Sequence, residues 1–220
     1  MCHDRLLIPP HTEPAGWSRL RSLHVGGNDL LDSQLAALLS GCPALSSLSL
    51  ERCNIGDGGA AALALALERC ALTHLDASHC GISGDGAATL AAVLSASGGS
   101  LATLILSGNP LEESGVVALA GALAGASSLR TLELGECGMT AAALTALVRL
   151  PQLATLSAFG NRMGDAALQA VTAALSRTPR GFAGLHTLGL SGNALSCAAL
   201  TKFLDTLKAL PSEVRRPWQE

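Results

Sequence analysis

Leucines stand at spacings of three, two and five in Leu101-Ala-Thr-Leu104-Ile-Leu106-Ser-Gly-Asn109-Pro-Leu111, after which the apolar spacing turns helical through Val116, Leu119, Ala120 and Leu123. The first half suits a short strand with its flanking turns, Asn109 marking the exit, and the second half suits a helix with one apolar stripe. The unit recurs seven times, starting at Leu20, Leu45, Leu72, Leu101, Leu129, Leu153 and Leu185, with intervals of 25, 27, 29, 28, 24 and 32 residues. A strand and a helix of this size bury only one side of themselves, so neighbouring copies must stack to enclose a core. The pattern therefore predicts one elongated α/β solenoid.

Residues 1–17 form an extension broken by Pro9, Pro10 and Pro14, the repeats are expected over 18–210, and 211–220 read as a short polar tail. Trp17 is expected to lie over the open end of the first repeat. The long sixth unit carries an insertion, Arg177 to Gly184, expected as a surface loop. Asp57, Asp85, Ser114, Thr140, Asp165 and Ser196 precede Ala/Leu-rich runs and are predicted to cap the free N–H groups of the first helical turns. The helices are expected on the outer side.

The pattern Leu-x-x-Leu-x-Leu-x-x-Asn/Cys-x-Leu/Ile, with Gly-Asp-x-Gly-Ala-x-x-Leu opening the helices, resembles the ribonuclease-inhibitor-like class of leucine-rich repeats. Similar repeats occur in NOD-like receptors and in the GTPase-activating protein of Ran. The resemblance implies a curved horseshoe of about seven β-α repeats, with a parallel β-sheet on the concave face and helices on the convex face. It specifies function poorly, because the same scaffold serves unrelated roles.

Composition narrows the partners. Hydrophobic residues make up 49%, aromatics 2% and charged residues 14%, so the core must be Leu and Ala. A net charge of −3 and two lysines among fourteen basic residues leave no basic field for nucleic acid. Seven unclustered cysteines, and five asparagines that make no Asn-x-Ser/Thr acceptor, fit a reducing intracellular compartment. The apolar run near the N-terminus is too short for a signal peptide, and Gly and Pro interrupt the uncharged stretch from Gly86 to Leu111, so no membrane span is expected.

Asn28, Cys53, Cys80, Asn109, Cys137, Asn161 and Asn193 share one repeat position and are expected to form a structural ladder inside the turns. An Asn there can satisfy buried backbone groups, and its loss should cost roughly 1–3 kcal/mol. The three ladder cysteines lack Cys-x-x-Cys spacing and ordered His partners, which argues against a metal site. The turns Gly56-Asp57-Gly58-Gly59 and Gly84-Asp85-Gly86 match neither phosphate-binding pattern, and they recur with the repeat. No cofactor is implied.

Strand alternation places His74, Asp76 and Ser78 together on the concave surface. Neighbours on one flat strand cannot place an imidazole between acid and nucleophile beside an oxyanion pocket, so no catalytic site is assigned; a weak His/Asp metal site is an alternative. Glu51, Asp76, Glu133 and Glu136 tint the centre acidic, His74 lies among them, and Ile105 and Phe159 are apolar points. This surface suits a basic protein partner with an apolar anchor near Phe159, although Ser, Thr and Gly there also suffice merely to solvate a sheet. The helices after Gly86 and Gly115 carry hardly any charge, with Ala91 read as an outward position, and the ends lack polar capping repeats. Assembly neighbours on the convex side explain this, as does a compositional bias toward Ala. The leading expectation is a non-enzymatic protein-interaction scaffold, a subunit of a larger intracellular assembly. The alternative is a regulatory protein, inhibitor-like or a NOD-like-receptor-type sensor fragment, with GTPase activation a weaker option.

Overall fold

The structure is a computed structural model and describes residues 17–96, 99–125, 128–177 and 184–209. The expected terminal segments, apart from Trp17, and most of the Arg177–Gly184 insertion lie outside the described residues. Among the described residues the strands are β1 (Ser22–His24), β2 (Ser47–Ser49), β3 (His74–Asp76), β4 (Thr103–Ile105), β5 (Thr131–Glu133), β6 (Thr155–Ser157) and β7 (Thr187–Gly189). The helices following them are α1 (Asp32–Ser40), α2 (Gly56–Arg69), α3 (Gly84–Ala96), α4 (Glu112–Leu123), α5 (Ala141–Leu147), α6 (Asp165–Arg177) and α7 (Cys197–Ala209).

All seven strands pair in parallel in chain order, with the central leucines Leu23, Leu48, Leu75, Leu104, Leu132, Leu156 and Leu188 in register. Each helix packs on the next, so the chain is a leucine-rich-repeat solenoid with its sheet on the concave face and its helices on the convex face. Leu101, Leu104, Leu106 and Leu111 of the fourth unit are buried, as are their counterparts in repeats two, three and five. At roughly 25 cal/mol per Å² of apolar area removed from water, this leucine column is the main force holding repeat to repeat. In the first and last repeats the same positions are less covered: Leu23, Val25, Leu188 and Leu190 are only half-buried. Trp17 is exposed.

Small residues set how closely the convex helices approach. A side chain at Gly115 would fall 2.8 Å from Gly84 Cα, so α3 and α4 meet backbone to backbone there. Ala91 lies in that packed layer and is buried, which corrects its expected outward placement; Ala88 and Ala92 face out instead. The helix-start signals divide. Thr140 and Ser196 act as caps, accepting from the N–H groups of Ala143 and Ala199 at 3.4 and 3.2 Å. Asp57 and Asp165 do not. Both lie inside the first turn, and each carboxylate reaches the next repeat, Asp57 accepting from the Ser83 N–H and O–H at 2.8 and 2.6 Å and Asp165 from those of Ser196 at 2.7 Å each. Asp85 and Ser114 also fall within their first turns, and at α3 the Ser83 hydroxyl accepts from the Asp85 N–H. At Asp57 and Asp165 the helix has already begun at the expected cap, so these two carboxylates are free to reach along the stack.

Candidate functional site

Strand register arranges the concave side chains in columns. One column runs Ser22, Ser47, His74, Thr103, Thr131, Thr155, Thr187, and the next runs His24, Ser49, Asp76, Ile105, Glu133, Ser157, Gly189. His74, Asp76, Ile105 and Glu133 are therefore neighbours on the sheet, all half-buried. Ile105 pairs with Asp76 on one side and Glu133 on the other, so an apolar point sits between two carboxylates.

The Asp76 carboxylate is already engaged. One oxygen accepts from the Ser78 hydroxyl at 2.6 Å and the Ser78 N–H at 3.0 Å, and the other from the Ser49 hydroxyl at 3.4 Å. Ser78, expected at the surface, is buried, because the chain turns under the strand and folds its hydroxyl back on Asp76. Acid and hydroxyl thus bond directly to each other with no imidazole between them, which is not the arrangement a serine nucleophile requires. Among the described residues no group of three His, Cys, Asp or Glu side chains is placed to hold a metal ion.

Other acidic positions differ in character. Glu51 forms an exposed ion pair with its neighbour Arg52 at 2.8 Å, which offsets its charge and by itself is worth at most about 1 kcal/mol. Glu136 is exposed and leans over Gly160, where an added Cβ would lie 2.8 Å from its Cγ. Phe159 is half-buried and lies across the neighbouring repeat, its ring covering Gly135 so closely that any Cβ there would overlap it. The Ser107 hydroxyl accepts from the N–H of the same Gly135 at 3.0 Å. The apolar point is a platform over a glycine, not a projecting knob.

The rim beside the strands holds Glu136 together with Arg52 and His79, which pattern reading missed. The position before each ladder residue has positive φ throughout: Gly27, Gly108, Gly160 and Gly192 in the repeats with Asn, but Arg52, His79 and Glu136 in the repeats with Cys. A side chain there costs roughly 1–2 kcal/mol in the left-handed region. His79 is exposed, and its ring fills the space beside Gly108 that a Cβ would need. The signal was available in the sequence as a strict pairing of Gly with Asn and of long polar residues with Cys.

The ladder itself is buried except at Asn28, which is exposed and donates to the Val25 and Gly26 carbonyls of its own turn. Asn109 Oδ1 accepts from the N–H groups of Cys80 and Ile82 at 2.9 and 3.0 Å, while its amide donates to the carbonyls of Ala77 and Leu106 at 2.8 Å each. Asn161 does the same for Cys137 and Met139 on one side and Leu134 and Ala158 on the other. Cys53, Cys80 and Cys137 donate their S–H to the preceding repeat's carbonyls, at Val25, Leu50 and Leu106. Burial pushes the Cys80 and Cys137 thiols up to about 11, so both are protonated at neutral pH and are poor metal ligands.

Comparison with known proteins agrees with this geometry. A family model described as Leucine Rich repeat matches residues 41–64 and 70–91. The ribonuclease inhibitor of Sus scrofa is 35% identical over 138 residues, which is 60% of this chain and 30% of that protein. The crystal structure of the leucine-rich repeat-containing protein LegL7 from Legionella pneumophila superposes with a TM-score of 0.53 at 20% identity, over 84% of this chain and 59% of that one. The fold is a leucine-rich-repeat solenoid, and its repeats are similar to those of the ribonuclease inhibitor. The chain spans 30% of the length of the first of these relatives and 59% of the second. The fold is one used for protein interaction, since stacked repeats create extended concave surfaces. Among the described residues no helix is long and apolar enough to cross a membrane.

Proposed function

We propose that this chain is a non-enzymatic protein-interaction scaffold, an accessory or structural subunit of a larger intracellular assembly. The observation that carries this reading is the registered concave centre, where Asp76 and Glu133 flank Ile105 and the Phe159 platform lies two repeats further on. Its polar groups are bonded to one another, as Asp76 is to Ser49 and Ser78, an arrangement suited to contact and not to proton transfer. A basic protein surface fits this centre, with an apolar side chain seated by Ile105 and Phe159 and Glu136 at the rim. On the convex side, the outward Ala88, Ala92, Leu65 and Val117 form a charge-poor face for assembly neighbours. The reading involves no cofactor, nucleic acid or membrane span.

Cross-linking and affinity purification from the native source tests this reading. Asp76→Arg is expected to weaken capture of the concave partner at least tenfold, and Ala92→Glu to remove convex neighbours. If neither variant changes the captured complexes, both surfaces are wrong. A regulatory, inhibitor-like role is the second reading, favoured by the 35% identity to a protein named ribonuclease inhibitor. It predicts that the chain suppresses the activity of a basic enzyme docked on the concave face, which a ribonuclease inhibition assay measures. A receptor fragment and a GTPase activator rest on the family resemblance alone, and GTP turnover with a panel of small GTPases would expose the latter.

A further inference from the structure

Topology sorts the charges of this chain. Because the strands run parallel and each is followed by one helix, every strand begins, and every helix ends, on one edge of the solenoid. The opposite edge, where the helices begin, carries Asp32, Asp57, Asp85, Glu112 and Asp165 in first helical turns. The return edge carries Arg19 and Arg21 ahead of β1, Arg69 at the end of α2, Arg130 ahead of β5, Arg149 just past α5 and Arg177 at the end of α6, all exposed. Among the described arginines only Arg52 and Arg162 lie elsewhere. The net charge of −3 thus conceals one acidic edge and one basic edge. Helix dipoles favour a base in the last turn, which accounts for Arg69 and Arg177. Arg19, Arg21 and Arg130 stand at strand entries and fall outside that account.

The return edge is notched at the fifth repeat. Helices α4, α5 and α6 end at Leu123, Leu147 and Arg177, which lie 14, 10 and 16 residues past the ladder residues Asn109, Cys137 and Asn161. At about 1.5 Å per residue, α5 stops roughly 6 Å short of α4 and roughly 9 Å short of α6. Arg149 sits at the base of this recess, and Arg177 ends the taller helix beside it. Arg130 comes from the strand side. Its guanidinium donates to the carbonyls of Leu129 and Gln152 at 3.1 and 3.3 Å, which holds it against the loop that carries Arg149. Arginines from two adjoining repeats therefore border one recess. Among the described residues neither Arg149 nor Arg177 makes an ion pair. The described acidic residues toward this edge are Glu68, next to Arg69, and Asp205, already bound to Lys208 at 3.3 Å.

A recess of this depth selects among anions. A flat membrane surface meets the ends of α4 and α6 before it reaches Arg149. Nucleic acid brings a charge about every 1.7 Å, whereas the strand entries between Arg69 and Arg130 are the uncharged Thr73 and Ala102. The one exposed aromatic side chain among the described residues, Trp17, is four repeats away and cannot stack on a base held here. A carboxylate on a flexible side chain reaches the base of the recess, and a guanidinium binds it through two parallel N–H donors. We propose that the return edge, centred on Arg130, Arg149 and Arg177, docks an acidic polypeptide segment. This surface is separate from the acidic concave centre and does not rest on the reading of that centre.

The test is fluorescence anisotropy of a labelled deca-glutamate peptide titrated with the full chain, with unlabelled peptide, a DNA duplex and phosphatidylserine vesicles as competitors. The peptide is expected to bind, and to bind more weakly as salt rises. Arg149→Glu with Arg177→Glu should weaken binding at least about tenfold, because reversal replaces two attractive charges with two repulsive ones. Arg149→Gln with Arg177→Gln should weaken it less, in the same direction, and circular dichroism melts establish that each variant is folded. Arg52→Glu with Arg162→Glu makes the same change in net charge on the opposite edge and should leave binding within about twofold of the parent. Three results overturn the proposal: no binding by the parent chain, equal losses from the two edges, or stronger competition by the duplex or the vesicles than by the unlabelled peptide. The concave reading stands or falls separately, through Asp76→Arg on its own surface.

Discussion

The ladder is built from two kinds of rung, and they tie the repeats together differently. At an Asn rung such as Asn109, the turn of the preceding repeat gives its N–H groups across the junction, and the amide returns two donors. A thiol cannot accept in this way with comparable strength. Where the following rung is Cys, N–H groups of the preceding turn close on their own carbonyls, as Cys53 does on Leu50 at 3.0 Å and Leu111 on Asn109 at 2.8 Å. The rung's own side chain then offers a weak S–H donor and the packing of a small apolar atom, beside backbone bonds such as Gly56 N–H to the Cys80 carbonyl and Glu112 N–H to the Cys137 carbonyl, 2.9 Å each. Shape keeps either residue in the same place, but an Asn junction is held by polar complementarity and a Cys junction mainly by burial.

The largest effect should come from Asn109→Ala, which strips partners from two buried N–H groups and the Ala77 carbonyl and leaves the Leu106 carbonyl to the Cys137 thiol; unfolding in urea should show a loss of about 3 kcal/mol or more. Asn28→Ala, at the exposed first rung, should cost less than about 1 kcal/mol. Equal losses at the two sites would break the argument that the inter-repeat bonds matter. Next in size is Gly108→Ala, which forces a side chain into the left-handed region and against His79, for about 2 kcal/mol. The double variant with His79→Gly should recover the steric part and leave the conformational part, and a strictly additive cycle would show that the rim pair does not interact.

Thiol chemistry sharpens the same contrast. Cys80 and Cys137 are buried and pushed up to about 11, whereas Cys197 is exposed at the start of α7. Alkylation at pH 8 followed by peptide mapping should label Cys197 at least about a hundredfold faster than either rung, because thiolate fraction and access both fall. Fast labelling of Cys80 in the folded chain would mean that its junction opens readily.

The fold was legible because Leu101, Leu104, Leu106 and Leu111 repeat at an interval no single globular core would impose. The concave columns followed from strand alternation, which is why Asp76, Ile105 and Glu133 were placed together correctly. Alternation ends with the strand, however, and Ser78 lies past it, where the turn carries the side chain under the surface. Helical period alone could not separate Ala91 from Ala92, since which face is covered depends on the Gly84–Gly115 approach between two helices far apart in sequence. Glu51 was counted toward the acidic tint of the centre, and the adjacent Arg52, which pairs with it, offsets that contribution. Asp57 looked like a cap because capping and reaching for the next repeat use the same residue type at nearly the same position.

That last residue offers the smallest and most specific test. The Cys80 junction has no Asn to brace it, and there the Asp57 carboxylate receives both the O–H and the N–H of Ser83. The second such bridge, from Asp165 to Ser196, falls at the junction where Asn193 Oδ1 accepts from the Met163 N–H at a long 3.4 Å. Both bridges thus stand where the ladder's acceptor is missing or weak. The hydrogen bonds from Ser83, side chain first and backbone second, hold the Asp57 carboxyl below its ordinary range. A depressed folded value stabilises the charged form, so the contribution is present above the ordinary carboxylate pKa near 4 and is lost as pH falls through the folded value. Because Asp57 is exposed, solvent screens most of this, and Ser83→Ala should cost under about 1 kcal/mol at pH 7. NMR titration of Asp57 in that variant should move its pKa upward, and the stability difference from the parent chain should shrink on acidification. An Asp57 that titrates identically with and without the Ser83 hydroxyl would mean that this side-chain bond adds nothing to the burial and backbone bonds, Gly56 N–H to the Cys80 carbonyl among them, that hold the Cys80 junction.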